Sequence, residues 1–166
     1  MEQALIRHKI ISRLIPLIIL PLAVGIVSAA LSGDSMLKYG QMNQPALAPP
    51  AIVFPIAWTI LYILMGVGSY FLMMAKPADA EDSKSRMLAL IIYFVQLAFN
   101  FAWSLFFFNG QMYYFAFAWL LVLWAMIILL IVKSTHVSIV AAVMFIPYLL
   151  WCTFAAYLNL IVALLN

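Results

Sequence analysis

Residues 87–132 read MLALIIYFVQLAFNFAWSLFFFNGQMYYFAFAWLLVLWAMIILLIV and contain no charged side chain, and this run decides the fold. A helix crosses the hydrocarbon core of a membrane in about 20 mostly apolar residues, so the run is too long for one crossing. Near its middle, Asn109, Gly110 and Gln111 form a turn signal. The run therefore predicts two membrane-spanning helices, at roughly 88–108 and 112–132.

Charge-free runs on either side of this pair predict three more spans, at roughly 14–32, 52–74 and 138–162. The chain is 69% hydrophobic and only 8% charged, whereas soluble domains carry about 25% charged residues. Backbone groups in lipid must satisfy their own hydrogen bonds, and the runs lack the polar alternation of barrel strands. We therefore predict an all-α membrane protein in which residues 1–166 form a single bundle of five transmembrane helices.

The first span has an alternative interpretation as a cleavable signal peptide. Arg7, Lys9 and Arg13 precede an apolar stretch that reaches Ser28-Ala29-Ala30, a small-residue pattern typical of cleavage sites. The apolar stretch exceeds the 7–15 residues that are usual for a signal peptide, which favours a retained helix.

The basic residues predict the orientation, because cytoplasmic loops carry an excess of Lys and Arg. Seven of the eight fall on one predicted side: Arg7, Lys9, Arg13, Lys76, Lys84, Arg86 and Lys133. Lys38 alone falls on the other. We expect the N-terminus inside and the C-terminus outside, with the proline-rich loop 33–51 outside as a lid. Since no basic face lies on a folded soluble domain, we expect no nucleic-acid partner.

Three of the spans each present a stripe of aromatic and hydrogen-bonding residues at helical spacing. The stripes are Trp58, Tyr62, Met65 and Ser69; Gln96, Asn100, Trp103 and Phe107; and Tyr148, Trp151, Ala155 and Asn159. Two interpretations stay open at this point. Amides and hydroxyls can join helices by hydrogen bonds, or the stripes can line a ligand pocket, which the bend expected at Pro147 would widen.

Catalytic and metal-binding groups are not expected. Apart from tyrosines and Cys152, no ionisable residue lies in a predicted span, and the sequence shows no carboxylate pair, nucleophile triad or metal cluster. His8 and His136 fall on the predicted inner side, away from the lid. Ion-coupled transport usually leaves a charged residue inside the membrane, so it is not expected either.

A possible dimer face lies on the third span. Ala98 and Ala102 form a small-xxx-small pair, the spacing that lets two helix backbones approach closely. At about 100° per residue they point away from Asn100, so one helix could line a pocket and pack against a second copy.

Three sequence blocks resemble the signature blocks of the translocator protein / tryptophan-rich sensory protein (TspO/MBR) family. They are NQPALAPPAIVFPIAWTILYILMG (43–66), QLAFNFAWSLFFF (96–108) and PYLLWCTFAAYLN (147–159). The resemblance implies five transmembrane helices in one bundle, often dimeric. It also implies a site between the helices, under the first loop, that binds porphyrins, sterol-like lipids and synthetic isoquinoline or benzodiazepine ligands.

The resemblance also implies the site residues. Trp58, Asn100 and Trp151 match positions that touch ligand, Ala155 a small position on the pocket wall, and Asn159 the end of the last motif. The proline-rich lid is expected to hold a defined path without much secondary structure. The full set of expected ligand-binding residues is Pro45, Leu47, Trp58, Tyr62, Asn100, Trp103, Tyr148, Trp151, Ala155 and Asn159.

From this resemblance we expect a receptor or carrier in a bacterial cell membrane, with a regulatory or stress-sensing role. Protoporphyrin or haem is the expected ligand and no cofactor is obligatory; membrane lipids and a second copy are the other expected partners. The alternatives are a passive transporter of tetrapyrroles or lipids and a light-dependent porphyrin-degrading protein. Ala46 and Leu47 stand where relatives carry tryptophans, and the cholesterol-recognition pattern is missing after Asn159, so we expect little photochemical breakdown and no dedicated cholesterol site.

Overall fold

The computed structural model describes residues 2–166, with side chains for residue 8 and residues 10–166. The helices are α1 (Glu2–Leu31), α2 (Ser35–Gln41), α3 (Val53–Met74), α4 (Ala80–Ser104), a π-helical turn (Leu105–Asn109), α5 (Tyr113–Thr135) and α6 (Ile139–Leu165). The described residues form no strand. Five helical segments are long and apolar enough to cross a membrane, beginning at Ile10, Val53, Ala80, Tyr113 and Ile139. This confirms the predicted five-helix bundle.

Two caps explain where α4 and α6 begin. The Asp79 carboxylate accepts a hydrogen bond from the backbone N–H of Asp82 at 2.8 Å, and Ser138 does the same for Ala141. Such caps satisfy N–H groups that have no partner within the helix. Because of its cap, α4 begins at Ala80, eight residues before the predicted span. The first two turns of the helix therefore include charged residues.

The core lies between α3, α4, α5 and α6, and α1 packs mainly against α3. The backbones of α1 and α3 meet at Gly66, where an added Cβ would lie 2.5 Å from the Cα of Ile18. Only glycine permits this approach. Of the predicted dimer-face residues, Ala98 is exposed and Ala102 half-buried, whereas Asn100 is buried; the dimer face stays a prediction.

The lid is more regular than the sequence suggested. Its first half contains the two-turn helix α2, so the expectation of a path without much secondary structure was wrong there. Gly33 begins the lid with φ +61°, a conformation that glycine adopts without strain. Farther along, Asn43 and the side chain of Asn166 exchange hydrogen bonds of 3.0 and 3.1 Å. The lid is thus fastened to the end of α6.

The end of α4 widens into a π-helical turn at Leu105–Asn109. Its closing bond runs from the N–H of Gly110 to the carbonyl of Leu105, five residues apart. Gln111 follows with φ 49°, which reverses the chain into α5. The turn places Asn109 beside the lid, where its amide donates to the carbonyl of Leu31 at 2.7 Å.

The opposite end of the bundle carries the other basic side chains that the structure describes. Arg13 donates to the sulfur of Met74, and Arg86 to the carbonyl of Ala75 at 3.0 Å. The side chains of Arg7 and Lys9, which also entered the orientation argument, lie outside the described residues. Which end faces the cytoplasm therefore stays a prediction from charge.

Candidate functional site

A cavity of about 320 Å³ lies beneath the lid, between α1, α2, α3, α4 and α6. Its lining is mostly apolar, and no charged side chain is part of it. Its lining residues include Gly25, Ser28, Ser32, Ser35, Tyr39, Phe54, Trp58, Tyr62, Asn100, Trp103, Ser104, Phe107, Phe108, Ala155 and Asn159. Small-molecule sites have this character, with apolar walls and a few placed polar groups.

Aromatic rings form two stacked pairs on the walls of this cavity. Trp58 stacks on Tyr62 with ring centroids 5.4 Å apart, and Trp103 stacks on Phe107 at 5.1 Å. Tyr39, from α2 in the lid, meets the ring of Phe54 edge-on. Offset-stacked and edge-to-face pairs add stability beyond their buried area, so these rings are held in place and present fixed apolar faces.

The polar stripes of three helices meet in one buried hydrogen-bond network, which we call the amide network (Tyr62, Gln96, Asn100 and Tyr148). Tyr62 donates to the Asn100 carbonyl oxygen at 2.8 Å, and the Asn100 amide donates to the Tyr148 hydroxyl at 3.0 Å. Tyr148 in turn donates to Gln96 at 2.8 Å. The amides therefore join the helices, as the first interpretation proposed, while Tyr62 and Asn100 also reach the cavity.

A second polar link fixes Trp103 above this network. The Trp103 indole N–H donates to the Asn159 carbonyl oxygen at 3.1 Å, and the Asn159 amide donates to the carbonyl of Tyr113 at 2.9 Å. Since Asn159 is buried and bonded on both sides, the indole plane of Trp103 is held against α6.

Three hydroxyl groups line another part of the cavity, which we call the serine edge (Ser28, Ser32 and Ser104). Ser28 and Ser104 bond to each other at 2.5 Å, and Ser32 donates to Ser104 or to the carbonyl of Ser28. Ser104 also reaches the carbonyl of Phe101 at 3.2 Å. These hydroxyls join α1 to α4 and face the cavity.

Six of the ten expected site residues line the cavity: Trp58, Tyr62, Asn100, Trp103, Ala155 and Asn159. The other four do not. Tyr148 is buried behind the wall in the amide network, Pro45 is buried in the lid, and Leu47 points outward with 67% of its surface exposed. Binding of ligand by any of these residues remains a prediction.

Trp151 is the fourth expected site residue that does not line the cavity, and it lies on another surface. It borders a shallow apolar groove between α3 and α6 that also includes Pro147. Its indole nitrogen is buried without a hydrogen-bond partner among the described residues. At about 100° per residue Trp151 lies about 60° around α6 from Tyr148, so a stripe that looks continuous in sequence divides between two surfaces. Trp151 does meet one lining residue of the cavity, Phe54, whose ring centroid is 5.9 Å away.

The sequence reasoning missed the wall that α1 and the lid contribute. Ser28 and Ser32 lie four residues apart in the first apolar run, the same spacing that identified the other stripes. That signal was present and was not used. No such signal pointed to Ser35 and Tyr39, because no helix was predicted in the lid and residues there could not be assigned to a helical face.

The groups that line this cavity offer a ligand apolar surfaces and uncharged polar contacts. Among the described residues no group of three His, Cys, Asp or Glu is placed to hold a metal ion, and His8 and His136 are both exposed. Burial raises the pKa of Tyr39 above its ordinary value of 10, so its hydroxyl stays protonated and donates to the carbonyl of Pro49 at 3.2 Å. Hydroxyl, amide and indole groups remain as the polar contacts for a ligand.

Comparison with known proteins agrees with the sequence blocks. The TspO/MBR family model matches residues 17–165. A tryptophan-rich protein TspO of Chlorobaculum tepidum is 33% identical, over 77% of this chain and 78% of the relative. A tryptophan-rich sensory protein of Cereibacter sphaeroides is 36% identical over 73% and 72%, and a TspO protein of Archaeoglobus fulgidus 33% identical over 94% and 98%. With the five-helix bundle and its lidded cavity, these matches establish that the chain belongs to the TspO/MBR family.

Proposed function

We propose that the protein is a membrane receptor or carrier that binds a porphyrin, such as protoporphyrin or haem, in the cavity under the lid. The observation that supports this best is the aromatic lining. Trp58 and Trp103 present flat faces from different helices, and a porphyrin macrocycle is itself a flat aromatic body. Stacking on such faces adds about 0.5–1.5 kcal/mol beyond the burial of apolar area.

The size of the cavity makes the lid part of this proposal. A volume of about 320 Å³ is at the lower end of the 300–1,000 Å³ that is usual for small-molecule sites. We propose that α2 and the following loop move outward to admit a whole macrocycle. Movement of the lid would also change the surface of the protein when a ligand binds. Such a change is in keeping with a regulatory or stress-sensing role and with the name of the sensory relative.

A titration with protoporphyrin tests the proposal. The protein is placed in nanodiscs, and the porphyrin absorbance band is followed as a function of porphyrin concentration. We expect saturable binding that Trp58→Ala weakens about tenfold, in line with the loss of one aromatic wall. Trp124→Ala is the matched control, because Trp124 bonds to Thr153 and does not line the cavity.

Two outcomes would contradict the proposal: no saturable binding to the wild-type protein, or equal losses in the Trp58 and Trp124 variants. Flux into sealed vesicles that contain only this protein separates the receptor from the passive transporter. Binding without flux is expected for a receptor, whereas saturable flux supports transport. Loss of porphyrin absorbance under illumination, against a detergent blank, would support the degrading alternative, and we expect little such loss.

A further inference from the structure

Lys38 is an unpaired cation at the rim of an otherwise uncharged cavity. Its ammonium donates to the carbonyl of Ser32 at 3.2 Å and to the side-chain oxygen of Asn109 at 3.0 Å. Both acceptors are neutral, and no carboxylate among the described residues forms an ion pair with it. A lysine ammonium has three N–H donors, so one remains unassigned.

The ammonium lies next to the cavity although Lys38 is not one of its lining residues. Ser32, whose carbonyl it contacts, lines the cavity and is 1% exposed. Ser35 and Tyr39 on α2, and Phe108 beside Asn109, are lining residues as well. Lys38 therefore lies where α1, α2 and the π-helical turn meet at the edge of the cavity.

The serine edge continues from this cation along the wall. Ser32 and Ser104 currently donate to backbone carbonyls of their own helices or to one another. A hydroxyl donor rotates to suit its partner, so these groups can turn toward an oxygen that enters the cavity. The rings of Trp58 and Trp103 line the same cavity, which therefore offers aromatic faces together with a row of donors that ends at a positive charge.

We propose that this rim selects ligands that combine a flat apolar body with a carboxylate, the carboxylate being held by the Lys38 ammonium and the hydroxyl of Ser32. The inference rests on the proposed function and adds to it which end of the ligand lies at the rim. A charge-assisted hydrogen bond is shorter and stronger than a neutral one. A porphyrin propionate supplies such a group on a flat body, whereas a fatty acid shares the carboxylate alone.

Two features limit how strong the contact can be. Asp34 lies four residues before Lys38, and its carboxylate, although exposed and unbonded to Lys38, lowers the positive potential there. Lys38 itself is half-exposed, so solvent screens its charge. The expected contribution is therefore modest, about a two- to fivefold change in affinity.

The same lysine also fastens the lid, and the experiment has to separate the two roles. Protoporphyrin and its dimethyl ester are titrated, at low ionic strength, into nanodiscs that contain wild type, Lys38→Met or Lys38→Arg. The ester keeps the macrocycle and loses both charges. Lys84→Met is the control, because it removes the same charge from an exposed position at the other end of the bundle.

We expect Lys38→Met to lower the affinity for the acid two- to fivefold and to leave the affinity for the ester unchanged, with Lys38→Arg close to wild type. An equal loss for acid and ester would overturn the proposal and make Lys38 a fastening of the lid alone. Equal binding of both forms to every variant would overturn it and leave the proposed function intact. If neither form binds wild type saturably, both proposals fail. A fatty acid that displaces protoporphyrin from wild type, and does so less well from Lys38→Met, would support a rim that also accepts lipid carboxylates.

Discussion

Asn100 and Ser104 lie one turn apart on α4, yet their hydrogen bonds are of different kinds. Asn100 is bonded to tyrosines from two other helices, Tyr62 on α3 and Tyr148 on α6. Ser104 bonds to Ser28 and to a carbonyl of its own helix. If Asn100 loses a partner, a buried polar group is left without a hydrogen bond, whereas Ser104 has an alternative partner within reach.

This difference separates polar groups that have no alternative partner from hydroxyls that join α1 to α4 and can also turn to a ligand. Buried groups without a partner cost free energy, and the cost is greatest where water cannot enter. The amide network therefore stabilises the packing of α3, α4 and α6. The serine edge can exchange its internal hydrogen bonds for new ones at little cost.

Asn100→Leu is expected to have the largest effect on stability. It removes the centre of the amide network and leaves the hydroxyls of Tyr62 and Tyr148 with fewer partners, at a cost of about 2–3 kcal/mol in the free energy of unfolding. Unfolding in SDS, followed by tryptophan fluorescence, measures it. Asn109→Leu, at the exposed rim, serves as control, and equal losses in both variants would remove the distinction between the two regions.

Gly25→Ala tests the place where the two regions touch. An added Cβ would lie 2.1 Å from the ring of Tyr62, which belongs to both the amide network and the cavity wall. Displacement of that ring is expected to cost about 1–2 kcal/mol, in the range usual for overpacking. Gly40→Ala is the control, since its Cβ meets nothing within 4 Å. A stable Gly25 variant with unchanged porphyrin binding would show that Tyr62 moves freely.

Ala102→Leu probes the outward face of the same helix. We propose that Ala98 and Ala102 pack against a second copy, since small residues let helices approach closely in membranes. We expect the dimer to weaken about fivefold or more while porphyrin affinity stays nearly constant. Sedimentation or cross-linking in mild detergent and in lipid reports the association. A monomeric wild-type protein in both media would refute the proposal that Ala98 and Ala102 pack against a second copy.

Trp151→Ala is expected to change porphyrin affinity less than threefold, compared with about tenfold for Trp58→Ala. The reason is position: Trp151 lies in the outer groove and does not line the cavity, although its ring meets the lining residue Phe54. The titration used for Trp58 measures both. A larger loss for Trp151 would indicate that the ligand occupies the groove between α3 and α6 instead of the cavity.

Ser104→Ala is expected to have the smallest effect, below about 0.5 kcal/mol in the free energy of unfolding, because Ser28 retains the carbonyl of Phe101 as a partner at 3.0 Å. The SDS unfolding assay used for Asn100→Leu gives the value. A loss as large as that of Asn100→Leu would place the serine edge with the structural groups.

Charge-free runs and their turn signal predicted five spans because the bilayer imposes length and polarity on a sequence directly. Helical spacing also predicted that the stripes of α3, α4 and α6 would converge, and Tyr62, Asn100 and Tyr148 do bond. The same spacing could not show that Ala155 lines the cavity while Trp151, four residues earlier, lies in the outer groove. A difference of about 40° around a helix decides which neighbour a side chain meets, and only the packing of three helices fixes it.

The lid shows the other limit. Its prolines suggested an ordered but irregular path, and the stretch from Pro45 to Pro50 has turns without a helix, whereas α2 forms ahead of the first proline. A helix of seven residues is marginal on its own, and the bonds that hold this one come from Asn109 and from the packing of Tyr39 on Phe54. Contacts between segments far apart in sequence created the element, so local pattern did not reveal it.

The π-helical turn at Leu105–Asn109 has a consequence for how this protein tolerates insertions and deletions. A π-helical turn holds one residue more than the α-helical turn it replaces, and in a helix one residue corresponds to about 100° of rotation. The extra residue is absorbed within the turn, so deletion of one residue there would restore a regular helix and leave the residues that follow in nearly the same direction. The same deletion in the α-helical part of α4 would rotate Phe107 and Asn109 by about 100°, away from the cavity and the lid. The turn is therefore the place where α4 can lose one residue with the least effect on its rim, and a single-residue deletion is expected to release the lid only when it falls before Leu105.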